Sequence, residues 1–376
     1  MTPPPLSGFP WPVNSNTAIQ RSITMIRSGK SPRRIRSVAL AAGIVAGLLL
    51  TGCAGGQASS GGDPADEELT FVAIFKALGN AGVTAAQTGM EARAEEIGNI
   101  KVEVTAPTTP DAAQQVQLIE SYVQRGVDGL MVSSLGPAVC EAINQAIAAG
   151  TPVITFDSDC PDSDRLTYVG SDNYAGGQLA GELYAEAIEG DTTPQRIAIL
   201  TGVLGTENLT QRDEGFTDAL EEAGVDFTIV QTVPGNDDVA KSVDAVESTL
   251  RGDPTINGFY FDGPWPFLVD QSNLPTLVEK AEAGEITVVA FDTIQPEMDA
   301  VRNGLAYALV GQKYYGWGYQ GVQVLDQIVR HDATFSDLTA TGFDVVTLEG
   351  GDGRFTPDEM DALWETFDFK ETPIEP

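Results

Sequence analysis

The chain has 376 residues, and 54 acidic against 21 basic side chains give it a net charge of −33 at pH 7. Six bases and no acids precede Cys53, so the part after it carries 15 bases against 54 acids, a net charge near −39. Such a charge excludes nucleic acids and anionic lipid surfaces as partners. An excess of acidic residues is typical of proteins that face concentrated salt, where screening weakens repulsion between the charges. It can equally serve only to keep the protein soluble.

The first 52 residues are predicted to be a signal peptide region. Basic residues at 27–36 precede an apolar run at 38–50, which is too short to span a bilayer. The run ends in Leu50-Thr51-Gly52-Cys53, which resembles the lipobox of bacterial lipoproteins and implies cleavage before Cys53 and lipidation of its sulfur. An uncleaved anchor ending at an incidental cysteine is the alternative.

The start of translation is expected at Met25, because the prolines ahead of it do not suit a signal peptide. Residues 53–68 are rich in Gly, Ser, Ala and acid, with no apolar period. They are predicted to form a flexible tether between the lipid and the folded body.

From residue 69 onward, short apolar segments alternate with amphipathic ones. Predicted strands cover 70–75, 101–105, 129–133, 153–156, 196–201, 227–233, 258–261, 287–291 and 306–310. Predicted helices cover 112–125, 138–149, 174–188, 214–223, 239–251 and 274–283. This alternation indicates an α/β fold with parallel sheets that are covered on both faces.

Two cysteines remain if Cys53 is lipidated. Cys140 and Cys160 each come shortly after a predicted strand, and the two strands would be neighbours in a parallel sheet. Export would place these cysteines in an oxidising compartment at bridging distance, which favours a disulfide between them. Two buried free thiols are the alternative.

A weak internal repeat points to two similar lobes. Residues 146–157 and 280–292 each run from a helix through a glycine into an apolar strand that ends in Phe-Asp. The carboxyl ends of parallel strands line the ligand crevice of such sheets, so Asp157 and Asp292 are expected to face each other. For each aspartate alone, a helix cap or turn is the other interpretation.

The chain resembles the type I periplasmic binding proteins, specifically the ribose-binding-like sugar receptors of ABC importers. The resemblance covers residues 69 to about 348, and its markers are segments 153–157, 170–177, 212–216, 291–292 and 310–312. It implies two Rossmann-like lobes joined by three crossovers near Asp172, Gln312 and Phe335. The lobes would then be 69–172 plus 312–335, and 173–311 plus 336–376.

The resemblance also implies a set of ligand-binding residues: Asn80, Asp157, Arg212, Asp292 and Gln312. Their carboxylate, guanidinium and amide groups suit the neighbouring hydroxyls of a sugar. Closure of the two lobes around the ligand would be the state that a transporter recognises.

The chain departs from the ribose receptors at three places. Gly82 and Val83 stand where those receptors have two aromatic residues, and Ser158 and Asp159 follow Asp157 where an Arg is usual. Segment 262–266 replaces an expected Asn, and its first residue, Asp262, is predicted to bind ligand. The stacking residue is therefore predicted to be Trp265, with Trp317 second; packing in the core or hinge is the alternative for both.

Other residues resemble a sister branch, the receptors for furanosyl autoinducer and for rhamnose. There Lys76 and Asp157 would contact ligand oxygens, although Lys76 alone can also be a solvated strand end. Asp159 is expected to serve the ligand or the turn. Asn208, in the loop ahead of Arg212, is expected to contact a hydroxyl.

The predicted function is that of a monomeric, lipid-anchored extracytoplasmic receptor that delivers a neutral monosaccharide or polyol to an ABC permease. A sensory protein that presents its closed state to a chemoreceptor or kinase is the alternative. No metal, cofactor or catalytic activity is expected, although paired aspartates also occur in glycosidases. A G-x-G-x-x-G match at 316–321 begins five residues past its strand, which disfavours a nucleotide site.

Overall fold

The computed structural model describes residues 68–78 and 81–376. The predictions on the signal region, on Cys53, on the tether up to residue 67 and on Asn80 therefore lie outside the described residues. Among the helices that the structure describes, none combines the length and apolarity needed to cross a membrane.

The predicted alternation of strands and helices is present throughout the described chain. Its strands are β1 Leu69–Ile74, β2 Ile100–Thr105, β3 Gly129–Val132, β4 Val153–Phe156, β5 Tyr168–Gly170, β6 Gln195–Thr201, β7 Phe227–Pro234, β8 Gly258–Phe261, β9 Thr287–Phe291, β10 Ala308–Gln312, β11 Leu338–Ala340 and β12 Phe343–Thr347. Its α-helices are α1 Ala81–Ile97, α2 Ala112–Arg125, α3 Pro137–Ala148, α4 Asn173–Ala187, α5 Glu207–Glu222, α6 Val239–Gly252, α7 Pro275–Glu282, α8 Met298–Arg302, α9 Tyr314–His331 and α10 Pro357–Thr366.

The strands form two six-stranded sheets with the same order. The first runs β11-β5-β4-β3-β1-β2 and the second β12-β10-β9-β8-β6-β7. All pairs are parallel except β10 with β12, which is antiparallel. The prediction of two similar lobes from the internal repeat is confirmed, since β4 and β9 occupy equivalent places in the two sheets.

Each sheet is covered by helices on both faces. In β1, Phe71 and Ala73 pack beneath α1 and α9, whereas Val72 and Ile74 pack against α2 and α3. The second sheet divides in the same way between α4 with α5 and α6 with α7. Each buried apolar side chain of this size stabilises the fold by about 1.5–3 kcal/mol, which explains why the strands are almost wholly apolar.

The chain crosses between the lobes three times. The first crossover follows β5 at Ser171–Asp172, and the second lies at Lys313, between β10 and α9. The third was predicted near Phe335, and this is wrong: β11 pairs with β5 in the first sheet, and Thr341 still donates a backbone hydrogen bond to Gly170. The chain enters the second sheet only at β12. A three-residue strand shows too little alternation to be recognised in sequence.

Residues 367–376, here called the C-terminal strap, run from α10 in the second lobe onto α9 in the first. Phe369 packs on Trp364 of α10 and on Tyr315 of α9, with ring centroids 5.7 and 5.6 Å apart. The Gln320 side chain donates to the carbonyl of Thr372 and accepts from the amide of Ile374, both at 2.9 Å. The strap thus adds a non-covalent link behind the hinge.

Candidate functional site

A cleft of about 470 Å³ lies between the two lobes, at the carboxyl ends of the strands in both sheets. Open parallel sheets bind ligands at this edge because loops there project polar groups into a common space. The first lobe contributes Lys76, Val83 and Asp157, together with Tyr314 and Trp317 of α9. The second lobe contributes Asn208, Arg212, Asp237, Trp265, Asp292 and Gln312.

The first-lobe wall is organised around Asp157, directly after β4. Lys76 Nζ lies 3.0 Å from Asp157 Oδ2, and the Ser133 hydroxyl donates to the same oxygen at 2.5 Å. Lys76 also donates to the Ser158 hydroxyl at 2.8 Å. These contacts hold one carboxylate oxygen and the ammonium group in fixed positions on the cleft wall.

Asp157 and Asp292 both have left-handed backbones, with φ of 59° and 81°. Asp tolerates this region better than most residues, because its short side chain bonds locally. The chain turns sharply as each strand ends, and in each lobe the turn brings a carboxylate to the cleft. The repeat predicted these two equivalent positions from sequence.

The second-lobe wall is built around Arg212 of α5, which is only 3% exposed. Its guanidinium donates to Asn173 Oδ1 at 3.0 Å, to the Asp262 carbonyl at 2.8 Å and to Gln312 Oε1 at 2.7 Å, and lies 4.0 Å above the Phe291 ring. Three of its five N–H donors are thereby used, so two remain for a ligand. Arg212 is thus held rigidly before any ligand arrives.

A close contact between helices α4 and α5 determines where Arg212 lies relative to the cleft. A Cβ on Gly177 of α4 would lie 2.1 Å from the Arg212 carbonyl, and one on Gly215 of α5 would lie 2.1 Å from the Tyr174 carbonyl. Any larger side chain at either glycine would separate α4 from α5. The glycines at 177 and 215 therefore help to position the cleft arginine.

Gln312 connects the two halves of the site at the second crossover. Its amide accepts from Arg212, as described, and donates to Asp292 Oδ1 at 2.8 Å; Ser171 of the first crossover also donates to it at 3.1 Å. Burial raises the pKa of Asp292, although Arg212, Gln312 and Tyr314 act in the opposite direction. The crossovers and the polar groups of the cleft thus form one network.

Aromatic rings supply the apolar part of the cleft. Trp265 is half-buried. Its ring packs closely on the loop that follows β6, because a Cβ on Gly202 in that loop would lie 2.7 Å from the ring. Trp317 also borders the cleft but is only 2% exposed, and the ring of Tyr314 packs against it with centroids 4.6 Å apart. Tyr314 was missed in sequence, because it follows the strand as an ordinary first residue of a helix.

Asp237 is a second residue that sequence reasoning missed. It lies in the turn after β7 with φ of 54° and lines the cleft. Desolvation raises its pKa; Lys76 lowers it and Asp157 raises it, so the three groups act on one another across the cleft. Its neighbour Asp238 instead caps α6 by accepting from Lys241 N. The position of Asp237 at the carboxyl end of a strand was the available signal.

Asp159 lines a pocket that adjoins the cleft and shares Lys76, Asn208 and Asp237 with it, but its carboxylate is already paired with other groups. Arg165 forms a two-pronged ion pair with both of its oxygens at 2.6 Å, and the Thr155 hydroxyl donates to it at 2.5 Å. These contacts are those of a residue that stabilises the turn, one of its two predicted roles. Asn208 lines the inner cleft near the start of α5.

The predicted disulfide is confirmed. Cys140 of α3 is bonded to Cys160 in the loop after β4, with Cα atoms 5.5 Å apart, and the Ser134 hydroxyl lies 2.9 Å from the sulfur of Cys160. The bond ties the loop that carries Asp157 to a neighbouring helix. It therefore supports the first-lobe wall of the cleft.

Asp262 was predicted to bind ligand with its side chain, but its carboxyl group is fully buried and only its carbonyl reaches Arg212. Neither carboxyl oxygen receives a hydrogen bond of normal geometry. Burial and the nearby Asp213 raise its pKa well above the ordinary value, against weaker effects of Thr201 and Arg212. Burial thus disfavours the charged form of this carboxyl group, which is not placed to bind a ligand in the cleft.

Two other sequence features have structural explanations. The G-x-G-x-x-G match lies inside α9, where a Cβ on Gly318 would come within 1.9 Å of the Ala86 carbonyl of α1. The glycine thus allows two helices to pack closely. In the part of the chain that the structure describes, no group of three or more His, Cys, Asp or Glu residues is placed to hold a metal ion.

Comparisons with known proteins agree with this geometry. The ribose import binding protein of Salmonella typhimurium is 26% identical over 69% of this chain and 85% of its own length. A glucose-galactose binding protein from Geobacillus stearothermophilus superimposes with a TM-score of 0.67 at 26% identity, covering 76% of this chain and 99% of that one. A solute-binding protein from Burkholderia graminis in complex with D-arabinose gives a TM-score of 0.66 at 27% identity, over 75% and 96% of the two chains.

These likenesses confirm the predicted fold, that of the type I periplasmic binding proteins. Residues 71–333 match the periplasmic binding protein domain, which is most of the described chain. The chain belongs to the periplasmic binding protein family.

Proposed function

We propose that this protein is an extracytoplasmic receptor that binds one small neutral carbohydrate between its lobes and delivers it to an ABC importer. The observation that carries the proposal is the cleft, where Asp157 of one lobe and Asp292 of the other lie with Arg212 and Gln312 beside half-buried aromatic rings. Carboxylate, guanidinium and amide groups each bond two neighbouring hydroxyls, and ring faces cover the apolar side of a sugar.

The charges of the cleft favour a neutral ligand. Three carboxylates, Asp157, Asp237 and Asp292, line it together with two cations, Lys76 and Arg212. An anionic ligand would meet an excess of like charge, and Lys76 already has a carboxylate partner. A volume of about 470 Å³ lies in the range of small-molecule sites and holds a monosaccharide with its water.

Binding is proposed to proceed by closure of the lobes. The polar groups come from both sides of the hinge, so a ligand that touches both sides makes more contacts in the closed state. Such a ligand shifts the population toward closure in proportion to its differential affinity. The relatives named above are import or binding proteins for sugars, which supports delivery to a permease.

The protein is proposed to act as a monomer that is held to the membrane by a lipid on Cys53. The support is the order of basic residues, apolar run and Leu50-Thr51-Gly52-Cys53 in the sequence. Replacing Cys53 with Ser should release the protein from the membrane fraction and abolish acyl labelling. Full membrane retention of the variant would contradict the anchor.

Catalysis is not part of the proposal. A glycosidase needs one carboxyl group that can protonate the leaving oxygen, and a second that can attack the sugar or activate a water molecule. Here Asp157 is engaged by Lys76 and Ser133, and Asp292 by Gln312. We therefore expect a bound sugar to be recovered unchanged.

The test is calorimetric titration of the purified full chain with pentoses, hexoses, deoxysugars and polyols. We expect at least one sugar to bind with one site per chain and to be released intact. An amino acid and a nucleoside serve as controls for other ligand classes of similar size. Tight binding of either control, with no response to any sugar or polyol, would overturn the proposal.

A further inference from the structure

Tyr314 occupies an unusual place in the cleft. It is the first residue of α9 and follows the second crossover at Lys313, so its backbone lies where the chain re-enters the first lobe. Its ring is half-buried and lines the same cavity as Trp265 and Arg212. An aromatic wall of the cleft therefore comes from the hinge.

The ring of Tyr314 is held on several sides. A Cβ on Gly82 would lie 2.7 Å from Tyr314 Cδ1, so only glycine leaves room for the ring against α1. Trp317 packs against it in an edge arrangement with centroids 4.6 Å apart. Its hydroxyl lies close enough to the Asp292 carboxyl for each group to shift the pKa of the other. A ring fixed in this way keeps its orientation when a ligand arrives.

Polar groups that bind hydroxyls surround this rigid face. Asp292 lies at the hydroxyl end of the tyrosine, Gln312 bonds Asp292 at 2.8 Å, and Arg212 bonds Gln312 at 2.7 Å. The inner cleft thus combines one flat apolar surface with a fixed line of hydrogen-bonding groups. This combination matches a molecule that has C–H groups on one face and hydroxyls at its edge.

We propose that Tyr314, in the space left by Gly82, makes the cleft select ring-form sugars over open-chain polyols. The inference rests on the proposed carbohydrate-binding function and narrows its ligand class. A cyclic monosaccharide presents a flat C–H face to the ring and has few torsions to lose. An alditol has no such face and must immobilise its whole chain on binding.

The test compares each sugar with its own alditol: D-ribose with ribitol, D-arabinose with arabinitol, D-glucose with glucitol and D-galactose with galactitol. Titrations of the full chain should show at least one cyclic sugar binding about tenfold or more tighter than its alditol. In Tyr314→Leu, affinity for that sugar should fall about tenfold while affinity for its alditol stays the same. Tyr314→Phe keeps the ring and should retain the discrimination.

Gly82→Ala is a second variant, independent of any change at the tyrosine. Its added methyl group should displace the ring and reduce the preference for the cyclic sugar. Adding Gly82→Ala to Tyr314→Leu should cause no further loss of preference for the cyclic sugar, because the double variant has no tyrosine ring for the methyl group to displace. Thermal unfolding of each variant shows whether it is folded before its affinities are compared.

The outcomes separate this inference from the proposed function. If the parent chain binds none of the eight compounds and no other sugar or polyol of the wider panel, the proposed function is wrong. Suppose that the parent binds sugars, but that Tyr314→Leu lowers the affinities for a sugar and its alditol equally, or changes neither affinity. Then only the role of Tyr314 is wrong. An alditol that binds the parent as tightly as its sugar also refutes this inference alone.

Discussion

At the scale of single residues, the positive φ angles of Asp157 and Asp292 decide how their charge can be tested. Asn tolerates the left-handed region about as well as Asp, whereas Ala costs roughly 1 kcal/mol there. An alanine variant would therefore combine backbone strain with loss of the carboxylate. Asparagine isolates the charge.

We expect Asp157→Asn to lower sugar affinity about 10- to 100-fold, because a charge-assisted hydrogen bond contributes about 1.5–3 kcal/mol and Lys76 also loses its ion pair. Calorimetric titration measures the change. Asp352→Asn is the matched control, since Asp352 is exposed and also has a left-handed backbone, with φ of 52°. Equal affinity of Asp157→Asn and the parent would contradict the assigned role.

Asp213 of α5 lies close enough to Asp262 for its charge to raise the pKa of that residue. Burial raises the pKa of Asp213 to about 7 from an ordinary value of 3.8, with Glu214 acting in the same direction and Arg212 against it. Between these two pH values the folded state holds a proton that the unfolded state has released. The free energy of unfolding therefore falls as the pH rises through this range.

Asp213→Asn should accordingly stabilise the protein at pH 8 and have little effect at pH 4. The gain at pH 8 should be on the order of 1 kcal/mol, because the side chain is partly exposed and solvent screens its charge. Thermal unfolding at both pH values measures the difference. Glu221→Gln, on the exposed face of α5, should show no such pH dependence; a parallel response of both variants would refute the explanation.

Much of the candidate site was predictable at this scale, and the exceptions have physical reasons. Asp157 and Asp292 follow apolar strands, so the repeat alone indicated their position. The side chain of Asp262 also follows a strand but points into the core, and sequence does not show on which side of the turn a residue falls. Tyr314 depends on packing between distant segments, which no local pattern records. Asp237 follows a strand as Asp157 and Asp292 do, but no internal repeat singled it out.

At the scale of secondary structure, the elements predicted from sequence were those with a clear periodic pattern of apolar and polar residues. Elements without such a pattern were missed. Helix α1 buries several small residues, such as Ala85, Ala86 and Ala94, in the clusters that it shares with α9, so it shows little amphipathic pattern. Helix α5 begins seven residues earlier than the predicted 214–223, because Leu209 and Arg212 continue its buried face. Ranges 112–125 and 153–156 agree with α2 and β4.

The disulfide joins α3 to the loop after β4 across 20 residues of sequence. A loop of that size gives a stabilisation of about 3 kcal/mol in the chain-entropy account. We expect Cys140→Ser with Cys160→Ser to lose about this much in urea unfolding. Reductant should destabilise the parent to the same extent and leave the variant unchanged. Alkylation of both thiols in the unreduced parent would show that the bond does not form.

At the scale of the whole molecule, two negatively charged lobes must approach each other when a ligand binds. The chain carries a net charge of −33, and repulsion between exposed charges weakens as salt shortens the screening length. The open state is therefore favoured most at low salt, before ligand is added.

We expect the radius of gyration from solution scattering to fall when a saturating sugar is added. Sugar affinity should also rise with added sodium chloride, because screening reduces the repulsion that closure must overcome. Asp157→Asn at the same sugar concentration controls for effects of the solute itself. Identical scattering profiles of the parent with and without bound sugar would refute closure.

The C-terminal strap should restrain opening of the lobes. Ending the chain after Thr366 removes the two hydrogen bonds to Gln320 and the packing of Phe369. We expect a larger radius of gyration without ligand and a lower unfolding temperature, since each hydrogen bond contributes about 0.5–1.5 kcal/mol. Removing only residues 375–376 is the control. An unchanged radius after the longer deletion would show that the strap does not limit the hinge.

The order of the strands along the chain also determines when the first lobe can be completed. Its sheet and one of its two covering layers depend on α9 and on β11, which ends at Ala340. During synthesis, β1 to β5 emerge long before these elements, and α1 alone covers only part of one apolar sheet face. The native lobe therefore forms only when nearly the whole chain has left the ribosome. The proposed extracytoplasmic location requires export, and a chain that is exported before it folds would benefit from this delay. The same arrangement means that neither lobe can be produced as an uninterrupted fragment.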